Sequence, residues 1–387
     1  MQILADIRLL GRGGASGIEE YTKNLLRALL AADQKNTYTL FYNGFKKFSI
    51  SNFQFPRLFE DEARSDGHRS GNFQTKVIDW RIPNKIFDFS ARFLNFPKID
   101  RFIKTDLVFS PHFNVLKTAK APRVITFHDL SFLHHPYFFS QKQRFWHWLQ
   151  GIKEQARAAD KIIAVSEFTK QDLVDFFQIL PEKISVIYSG IADEFQKLRS
   201  CDDLRIAGRP FILYLGTLEP RKNVTAIIRA FNILKADPNF RDWQLVIAGR
   251  PGWLFKNILK EAGLSAWRDD IIFKGAVSGD ERVLLYNLAR VFVYPSFFEG
   301  FGFPPLEAQA CGCPTVAADR TSLPEILRDS ALLVNPWKVE DLAGAIKTAA
   351  TDEKERARLI KSGQENARRF NWKKTAEQTM ELFNQYV

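Results

Sequence analysis

Cysteine is scarce in this sequence of 387 residues, which contains only Cys201, Cys311 and Cys313. Small secreted domains depend on paired cysteines, so three cysteines in a chain of this length fit a reducing compartment better than a disulfide framework. The Cys311-Gly-Cys313 spacing has no second cysteine pair that would complete a zinc site. We therefore expect the cysteines to be buried small side chains.

Long apolar runs are also missing, because no stretch reaches the ~18 uninterrupted apolar residues that a membrane-spanning helix needs. At the N-terminus, Asp6 and Arg8 stand where a signal peptide has its apolar core, so MQILADIRLL predicts a buried strand. A cytoplasmic protein is the expectation. The chain is too long for one hydrophobic core, which predicts two domains of roughly 190 residues each.

Acidic residues are outnumbered by basic ones, 44 to 55, which gives a net charge of +11. Such a surface attracts nucleotide phosphates, acidic lipid head groups or nucleic acid. We find no nucleic-acid-binding motif, so nucleic acid is not an expected partner. Residues 137–161 interleave aromatic and basic side chains. That mixture suits either peripheral contact with the inner face of an anionic membrane or an amphipathic helix that faces the core.

β-Branched and aromatic runs alternate with helical patterns along the chain, which is typical of parallel sheets covered by helices. The clearest helix follows Ser16-Gly17, because Ile18, Tyr21, Leu25 and Leu29 recur at helical spacing. Residues 45–101 show no clear period, and we assign no element there. The predicted strands are residues 2–5, 38–42, 107–110, 123–127, 161–165 and 184–187, then 211–215, 244–248, 271–274, 291–294, 315–317 and 331–334.

The alternation breaks between Tyr188 and Pro210 and then restarts, which marks a domain linker. We predict an α/β protein of two doubly wound, Rossmann-like domains, residues 1–190 and 191–370. A C-terminal helix within 371–387 is expected to cross back to the first domain. Two such sheets that face one another make an interdomain cleft.

Ligands of open parallel sheets bind at the carboxyl ends of the strands. The predicted strand 211–215 is followed by Gly216-Thr-Leu-Glu-Pro-Arg221-Lys222-Asn223 and then by a helix from Val224. Arg221 and Lys222 therefore stand beside a helix N-terminus, where both the cations and the helix dipole favour a diphosphate. An exposed basic turn is the alternative interpretation.

A second informative segment, PSFFEGFGFPPLE, follows the strand 291–294, and its paired prolines suit the first turn of a helix. Gly300 and Gly302 let the backbone approach a ligand, and their N–H groups can hold phosphate and sugar oxygens. Glu299 and Glu307 can each accept hydrogen bonds from separate hydroxyls. For Glu307, a purely structural role at the helix dipole is the alternative.

Metal ligands are not arranged in any recognisable pattern. Five of the six histidines lie between His112 and His147, but the spacing of His128, His134 and His135 matches no helical ligand pair. The chain has neither an Asp-X-Asp triplet for Mg²⁺ nor a Walker-type phosphate loop. We expect no metal and no cofactor, so that Arg221, Lys222 and backbone dipoles must meet the charge of a leaving diphosphate.

Three segments together resemble family 4 glycosyltransferases, which have the GT-B architecture: GTLEPRKN, EGFGFPPLE and FHDLSF. The resemblance covers nearly the whole chain, and its most specific part is the E-x7-E pattern combined with Arg221-Lys222. The segment MQILADIRLL is similar to that of mannosyltransferase-like members. The resemblance implies a retaining, metal-independent transfer of a sugar from a nucleotide-diphosphate donor.

The resemblance also implies roles for single residues. Arg221 and Lys222 would hold the diphosphate, Glu299 the sugar hydroxyls and Glu307 the ribose, while His128 would lie beside the reacting centre. Of these, His128, Glu299, Arg221 and Lys222 are the expected catalytic group. Further donor contacts would come from Gly17, whose N–H belongs to the facing domain, and from Gly216, Gly300, Phe301, Gly302 and Phe303.

The N-terminal glycines depart from the family pattern. Ser16 stands where a second glycine is common, and Glu19-Glu20 replace a more usual Gly-Arg. Carboxylates so close to a diphosphate are unfavourable unless the helix turns them away.

The donor base and the acceptor are not written in these motifs. GDP-mannose is the first expectation and a UDP-hexose the second, with a glycan or lipid-linked oligosaccharide as acceptor. A catalytically inactive nucleotide-sugar-binding partner protein is the alternative function.

Overall fold

Two parallel sheets organise the chain, each within its own structural unit. The computed structural model describes residues 1–12, 17–44, 75–198 and 208–386. Unit 1 comprises Met1–Gly190 and Asn371–Val387, and unit 2 comprises Ile191–Phe370. The segment Gly13-Gly14-Ala15-Ser16 at the entry to the first helix, residues 45–74 of the unassigned region and Cys201 in the linker lie outside the described residues.

The sheet of unit 1 has seven strands in the order β3-β2-β1-β4-β5-β6-β7, and all of its neighbours pair in parallel. Its central strands β4 and β5 are buried along their whole length, as parallel strands covered on both faces must be. The strands are β1 (Gln2–Asp6), β2 (Thr37–Tyr42), β3 (Lys76–Asp79), β4 (Leu107–Ser110), β5 (Arg123–Phe127), β6 (Lys161–Ala164) and β7 (Ile184–Val186).

The sheet of unit 2 has six parallel strands in the order β10-β9-β8-β11-β12-β13. In both sheets the strand order reverses beside the first strand, which is the doubly wound topology. The predicted fold class is thereby confirmed. The strands are β8 (Phe211–Leu215), β9 (Gln244–Ala248), β10 (Ile271–Gly275), β11 (Val291–Tyr294), β12 (Thr315–Ala318) and β13 (Leu332–Val334).

Helices connect the strands, with short 3-10 turns between them. No helix in the described part of the chain is long and apolar enough to cross a membrane. In unit 1 the α-helices are α1 (Gly17–Ala32), α2 (Asn84–Phe89), α3 (Ser131–His134), α4 (Gln141–Gln150), α5 (Ile152–Ala158), α6 (Glu167–Phe177) and, from the C-terminal segment, α14 (Trp372–Phe383). In unit 2 they are α7 (Val224–Lys235), α8 (Phe255–Gly263), α9 (Gly279–Leu288), α10 (Phe303–Ala310), α11 (Leu323–Leu327), α12 (Val339–Thr351) and α13 (Glu353–Ala367).

The first and last helices pack against each other within unit 1. On α1, Tyr21, Leu25 and Leu29 are buried as their spacing predicts, and the Tyr21 ring lies 5.7 Å from Trp372 of α14. The Thr375 hydroxyl donates a hydrogen bond of 2.8 Å to the carbonyl of Tyr188, near the end of the first chain segment of the unit. The C-terminal helix is therefore an integral part of unit 1.

A buried polar network ties β1 to two helices of unit 1. The Arg8 guanidinium binds Asp6 through two hydrogen bonds of 2.9 and 2.7 Å and lies 3.4 Å from Asp88 of α2. Gln150 at the end of α4 donates to Asp88 over 2.9 Å and accepts from the N–H of Val115 over 2.7 Å. Satisfied buried networks fix the geometry of the elements that they join.

Candidate active site

The turn after β8 presents the two predicted cations. Pro220–Lys222 form one 3-10 turn, which places both side chains beside the start of α7. The Arg221 guanidinium donates to Glu219 over 2.8 Å, to the carbonyl of Phe298 over 2.7 Å and to Glu299 over 3.3 Å. Arg221 thus joins the loop after β8 to the loop after β11.

Lys222 and Glu299 form a buried ion pair at the centre of this site. The Lys222 ammonium lies 2.6 Å from Glu299 Oε1 and donates to the Tyr294 hydroxyl over 2.7 Å. The Ser296 hydroxyl donates to the same carboxylate oxygen over 2.6 Å. Burial acts to raise the pKa of Glu299, but the charges of Lys222 and Arg221 outweigh it and lower that pKa to about 2. The carboxylate is therefore ionised throughout the physiological range.

The loop that carries Glu299 is pinned by the segment after β12. The N–H of Glu299 donates to the Thr321 hydroxyl over 3.0 Å, and the Ser322 hydroxyl donates to the carbonyls of Glu299 and Phe301 over 3.0 and 3.3 Å. Thr321 adopts a φ of 55°, which is a rare conformation for a β-branched residue. Strain of this kind persists where the surroundings enforce it, and here it serves the loop.

The glycine-rich loop leads directly into α10. Gly302 precedes the helix with a φ of 95°, and a Cβ at this position would come within 2.7 Å of Leu323. The paired prolines occupy the first turn of the helix, as predicted. Phe301 is buried against Phe303 at a ring distance of 5.2 Å. Only glycine fits at position 302, so the backbone conformation of the loop is fixed by its sequence.

Glu307, the second carboxylate of the E-x7-E pattern, is buried on α10 and is bound by α9. Its partners are the Arg282 guanidinium and the Tyr286 hydroxyl, the latter at 2.8 Å. Burial and this carboxylate raise the pKa of Tyr286 well above its usual value, so the phenol stays a donor. Glu307 thus anchors α9 to α10 in this structure, and its ribose contact stays a prediction.

Two of the predicted site residues belong to unit 1. His128 follows β5, and its Nε2 lies 2.8 Å from the carbonyl of Pro111 while its ring edge packs on Tyr21 at 4.7 Å. Burial lowers the pKa of His128 to about 4, so the imidazole is neutral, Nε2–H donates to Pro111 and Nδ1 carries a lone pair. Gly17 is the exposed first residue of α1. Of the two carboxylates beside it, Glu19 is buried.

Sequence reasoning missed several members of the site. Thr321 and Ser322 follow the carboxyl end of a predicted strand, so the same rule that identified Arg221 and Glu299 could have found them. Tyr294 is the last residue of its strand, and its place in an apolar run indicates a core residue rather than a site residue. Arg282 and Tyr286 lie one turn apart in the middle of α9, where no strand end draws attention to them.

Among the residues that the structure describes, no group of three or more histidine, cysteine, aspartate or glutamate side chains could hold a metal ion. Cys311 and Cys313 are buried and unpaired, as expected of small core side chains. Burial raises the pKa of both thiols to about 12, so both are protonated at neutral pH. The metal independence of the chemistry stays a prediction.

The two parallel Rossmann-like sheets have the fold of the GT-B glycosyltransferases. The chain matches the family model "Glycosyltransferase Family 4" over residues 15–195 and "Glycosyl transferases group 1" over residues 201–366. It therefore belongs to the family 4 glycosyltransferases.

Several relatives are mannosyltransferases by name. The chain is 29% identical to the O-antigen chain mannosyltransferase B of Escherichia coli, over 67% of this chain and 69% of that protein. It is 34% identical to the serotype-specific mannosyltransferase WbdA of Escherichia coli, over 59% of this chain. The match spans only 29% of the WbdA length.

Solved structures share the fold over the whole chain. A sucrose-phosphate synthase of Thermosynechococcus elongatus aligns with a TM-score of 0.75 at 20% identity, covering 100% of this chain and 98% of that one. HepE of Anabaena, solved in complex with UDP-glucose, aligns with a TM-score of 0.70 at 18% identity and covers 100% of both chains. At these identities the likeness shows the fold.

Proposed function

We propose that this chain transfers a hexose from a nucleotide-diphosphate donor to a glycan or lipid-linked acceptor, with retention of the anomeric configuration and without a metal ion. The observation that carries the proposal is the cluster of Arg221, Lys222 and Glu299, which joins the ends of β8 and β11. The mannosyltransferase names of the relatives support the class of sugar.

The cluster suits the charges that develop when a glycosyl phosphate bond breaks. Negative charge grows on the leaving diphosphate and positive charge on the sugar, so fixed cations and dipoles stabilise the transition state more than the ground state. Arg221 and Lys222 would meet the diphosphate. Because Glu219 and Glu299 already balance the two cations, the N–H groups of the Gly300–Phe303 loop must supply part of the attraction.

Glu299 and His128 would face the sugar. The low pKa of Glu299 keeps the carboxylate ionised, and Oε2, which Arg221 alone contacts among these partners, can accept a hydrogen bond from one sugar hydroxyl. The neutral imidazole of His128 offers a lone pair at Nδ1 rather than a positive charge beside a cationic sugar. In such a site the departing phosphate itself would take the proton of the acceptor hydroxyl on the same face.

GDP-mannose is the first donor to test, and a UDP-hexose is the second, since one structural relative was solved with UDP-glucose. We infer a cytoplasmic enzyme that works at the inner face of a membrane on a membrane-borne or polysaccharide acceptor. The basic surface charge supports contact with anionic lipid.

The test is nucleoside diphosphate release from GDP-mannose, UDP-glucose, UDP-N-acetylglucosamine and UDP-galactose, each with EDTA. Release from one donor is expected, and the anomeric configuration of the product, read by NMR, reports retention. Loss of all turnover in EDTA with recovery on added Mg²⁺ would contradict the metal-free mechanism.

An inactive nucleotide-sugar-binding partner protein is the second candidate. It predicts thermal stabilisation by GDP or UDP without turnover of any donor, in the presence of an extract that supplies acceptors. The complete set of Arg221, Lys222 and Glu299 contacts favours the enzyme.

A further inference from the structure

Unit 1 exposes a group of aromatic side chains that touch one another on its surface. Phe93 lies between Phe89 and Trp148, at ring distances of 4.8 and 5.8 Å, and Phe145 lies 5.6 Å from Trp148. Each ring is between 48% and 62% exposed. A contiguous exposed apolar surface of this kind marks an interaction site. The aromatic patch consists of Phe89, Phe93, Phe145 and Trp148, and a second exposed pair, Phe96 and Phe102, follows α2 in the same chain segment.

The two chain segments that carry the patch are linked to each other by buried side chains. These segments, α2 with the π-helical turn Ser90–Leu94 and α4, are joined from below by the hydrogen bond between Gln150 and Asp88. At the end of α4, Gly151 has a φ of 57°, and a Cβ there would come within 2.6 Å of the Arg92 guanidinium. The left-handed backbone at position 151 favours glycine, and it turns the chain at the end of α4, where the Arg92 side chain of the other segment lies.

Basic side chains outnumber acidic ones in the segments around the patch. Of the acidic residues in the same segments, Asp88 is buried in the Arg8 network, Asp100 accepts three backbone N–H groups of residues 119–121, and Glu154 pairs with Arg92. The patch thus has a basic rim, which comprises the exposed side chains of Lys85, Arg101, Lys104, Lys142, Arg144 and Lys153.

We infer that the aromatic patch docks unit 1 on an anionic lipid surface. Aromatic rings settle at the level of the lipid head groups, and the basic rim meets the lipid phosphates. A second copy of the chain is disfavoured as the partner. A two-fold interface would place the basic rims of both copies close together, where their like charges repel. The inference deepens the membrane contact in the proposed function and moves its centre from the segment 137–161 to a surface shared by α2 and α4.

The test uses the full chain and vesicle sedimentation at low salt. Wild type is expected to bind vesicles of mixed phosphatidylglycerol and phosphatidylcholine, and to bind phosphatidylcholine vesicles far less. Phe145→Ser with Trp148→Ser should lower the partition coefficient at least tenfold, since both aromatic anchors are lost. Lys142→Glu with Arg144→Glu should do the same on the anionic vesicles.

The matched control is Leu180→Ser with Leu264→Ser, which removes two exposed apolar side chains outside the patch and should leave vesicle binding unchanged. All variants should keep wild-type melting temperatures and vesicle-free donor hydrolysis. Hydrolysis without vesicle binding by the wild type would overturn the docking surface while sparing the proposed function, and binding without hydrolysis would do the reverse. A concentration-dependent dimer that Phe145→Ser with Trp148→Ser abolishes would assign the patch to a second copy and also overturn the inference.

Discussion

Unit 2 contains two buried lysines, one at each end of α7, and they serve different purposes. Lys222 before the helix binds Glu299, while Lys235 in the last turn binds Asp270 at 2.7 Å and the carbonyl of Trp243 at 3.1 Å. In each case a carboxylate partner balances the charge of the buried ammonium group. Only Lys222 lies at the carboxyl end of a strand, where ligands of such sheets bind.

We predict that Lys222→Met lowers donor turnover by about 100-fold or more, because a fixed donor to the leaving group contributes roughly 3 kcal/mol. Lys235→Met should leave turnover near that of the wild type. Lys222→Met should lower the free energy of unfolding by about 2 kcal/mol, since it strands the buried Glu299. Lys235→Met should lower it less, because the partly exposed Asp270 keeps its ion pair with Arg209. Steady-state kinetics and urea denaturation check the pair. Turnover of Lys222→Met within about twofold of the wild type would remove this lysine from the catalytic group.

A second residue-scale prediction concerns Thr321. Thr321→Gly should relieve about 1 kcal/mol of backbone strain and raise the melting temperature, yet lower turnover about tenfold because the N–H of Glu299 loses its acceptor. Thr321→Ser keeps the hydroxyl and should keep the turnover. Equal turnover of the glycine and serine variants would show that the hydrogen bond does not position Glu299.

The sequence identifies the charged residues of the site better than the residues that hydrogen-bond to them. Arg221, Lys222 and Glu299 were predicted and are brought together, because each follows the carboxyl end of a strand. The structure shows Glu307 bound by Arg282 and Tyr286, which the sequence did not predict, and its ribose contact stays a prediction. Helical periodicity does not tell which residues of one helix meet a carboxylate on another.

Among the elements, the loop that enters α10 depends on a single glycine. Gly302→Ala should lower the free energy of unfolding by about 2 kcal/mol, because alanine is strained at a φ of 95° and its Cβ meets Leu323. Gly344→Ala in the middle of α12 has open space around it and should stabilise the protein by about 0.5–1 kcal/mol. Urea denaturation of the two variants provides the comparison. Similar stability changes of the same sign would contradict the strain argument.

Strand prediction succeeded because strands in parallel sheets are short, apolar and β-branched. Every strand predicted from the sequence is present in the described chain, with ends within one residue of the prediction. Conversely, the structure contains one strand that was not predicted, β3. Lys76–Asp79 form an edge strand with two charged ends and half-buried side chains, so neither an apolar run nor a strict alternation reveals it.

For the molecule as a whole, the interdomain cleft implied by the GT-B resemblance stays a prediction, while the two Rossmann-like sheets are confirmed. The stability of unit 1 should depend on pH through two histidines. Burial lowers the pKa of His128 and of His147 to about 4, below the usual value of 6.5. The unfolded chain therefore binds more protons than the folded one between these values.

The stability that these histidines provide is therefore complete above pH 6.5 and is lost as the pH falls towards 4. We expect the free energy of unfolding of unit 1, followed by urea denaturation with a unit 1 probe, to fall over this window. The double variant His128→Asn with His147→Asn should show a flatter profile, whereas His135→Asn should flatten it less, because burial and His134 lower the pKa of His135 but this histidine is only partly buried. An unchanged slope in the double variant would argue against burial of neutral imidazoles.

The chain order of the two units has a consequence for how the protein is made. Unit 2 is a single continuous segment, whereas unit 1 is completed only by Asn371–Val387, including α14. A ribosome therefore releases all of unit 2 while the helix α1 still lacks the partner that covers it. Domains fold as units during synthesis, so unit 1, whose synthesis starts first, can finish folding only after unit 2 has been made. A stop codon near residue 371 would therefore destabilise unit 1 more than unit 2.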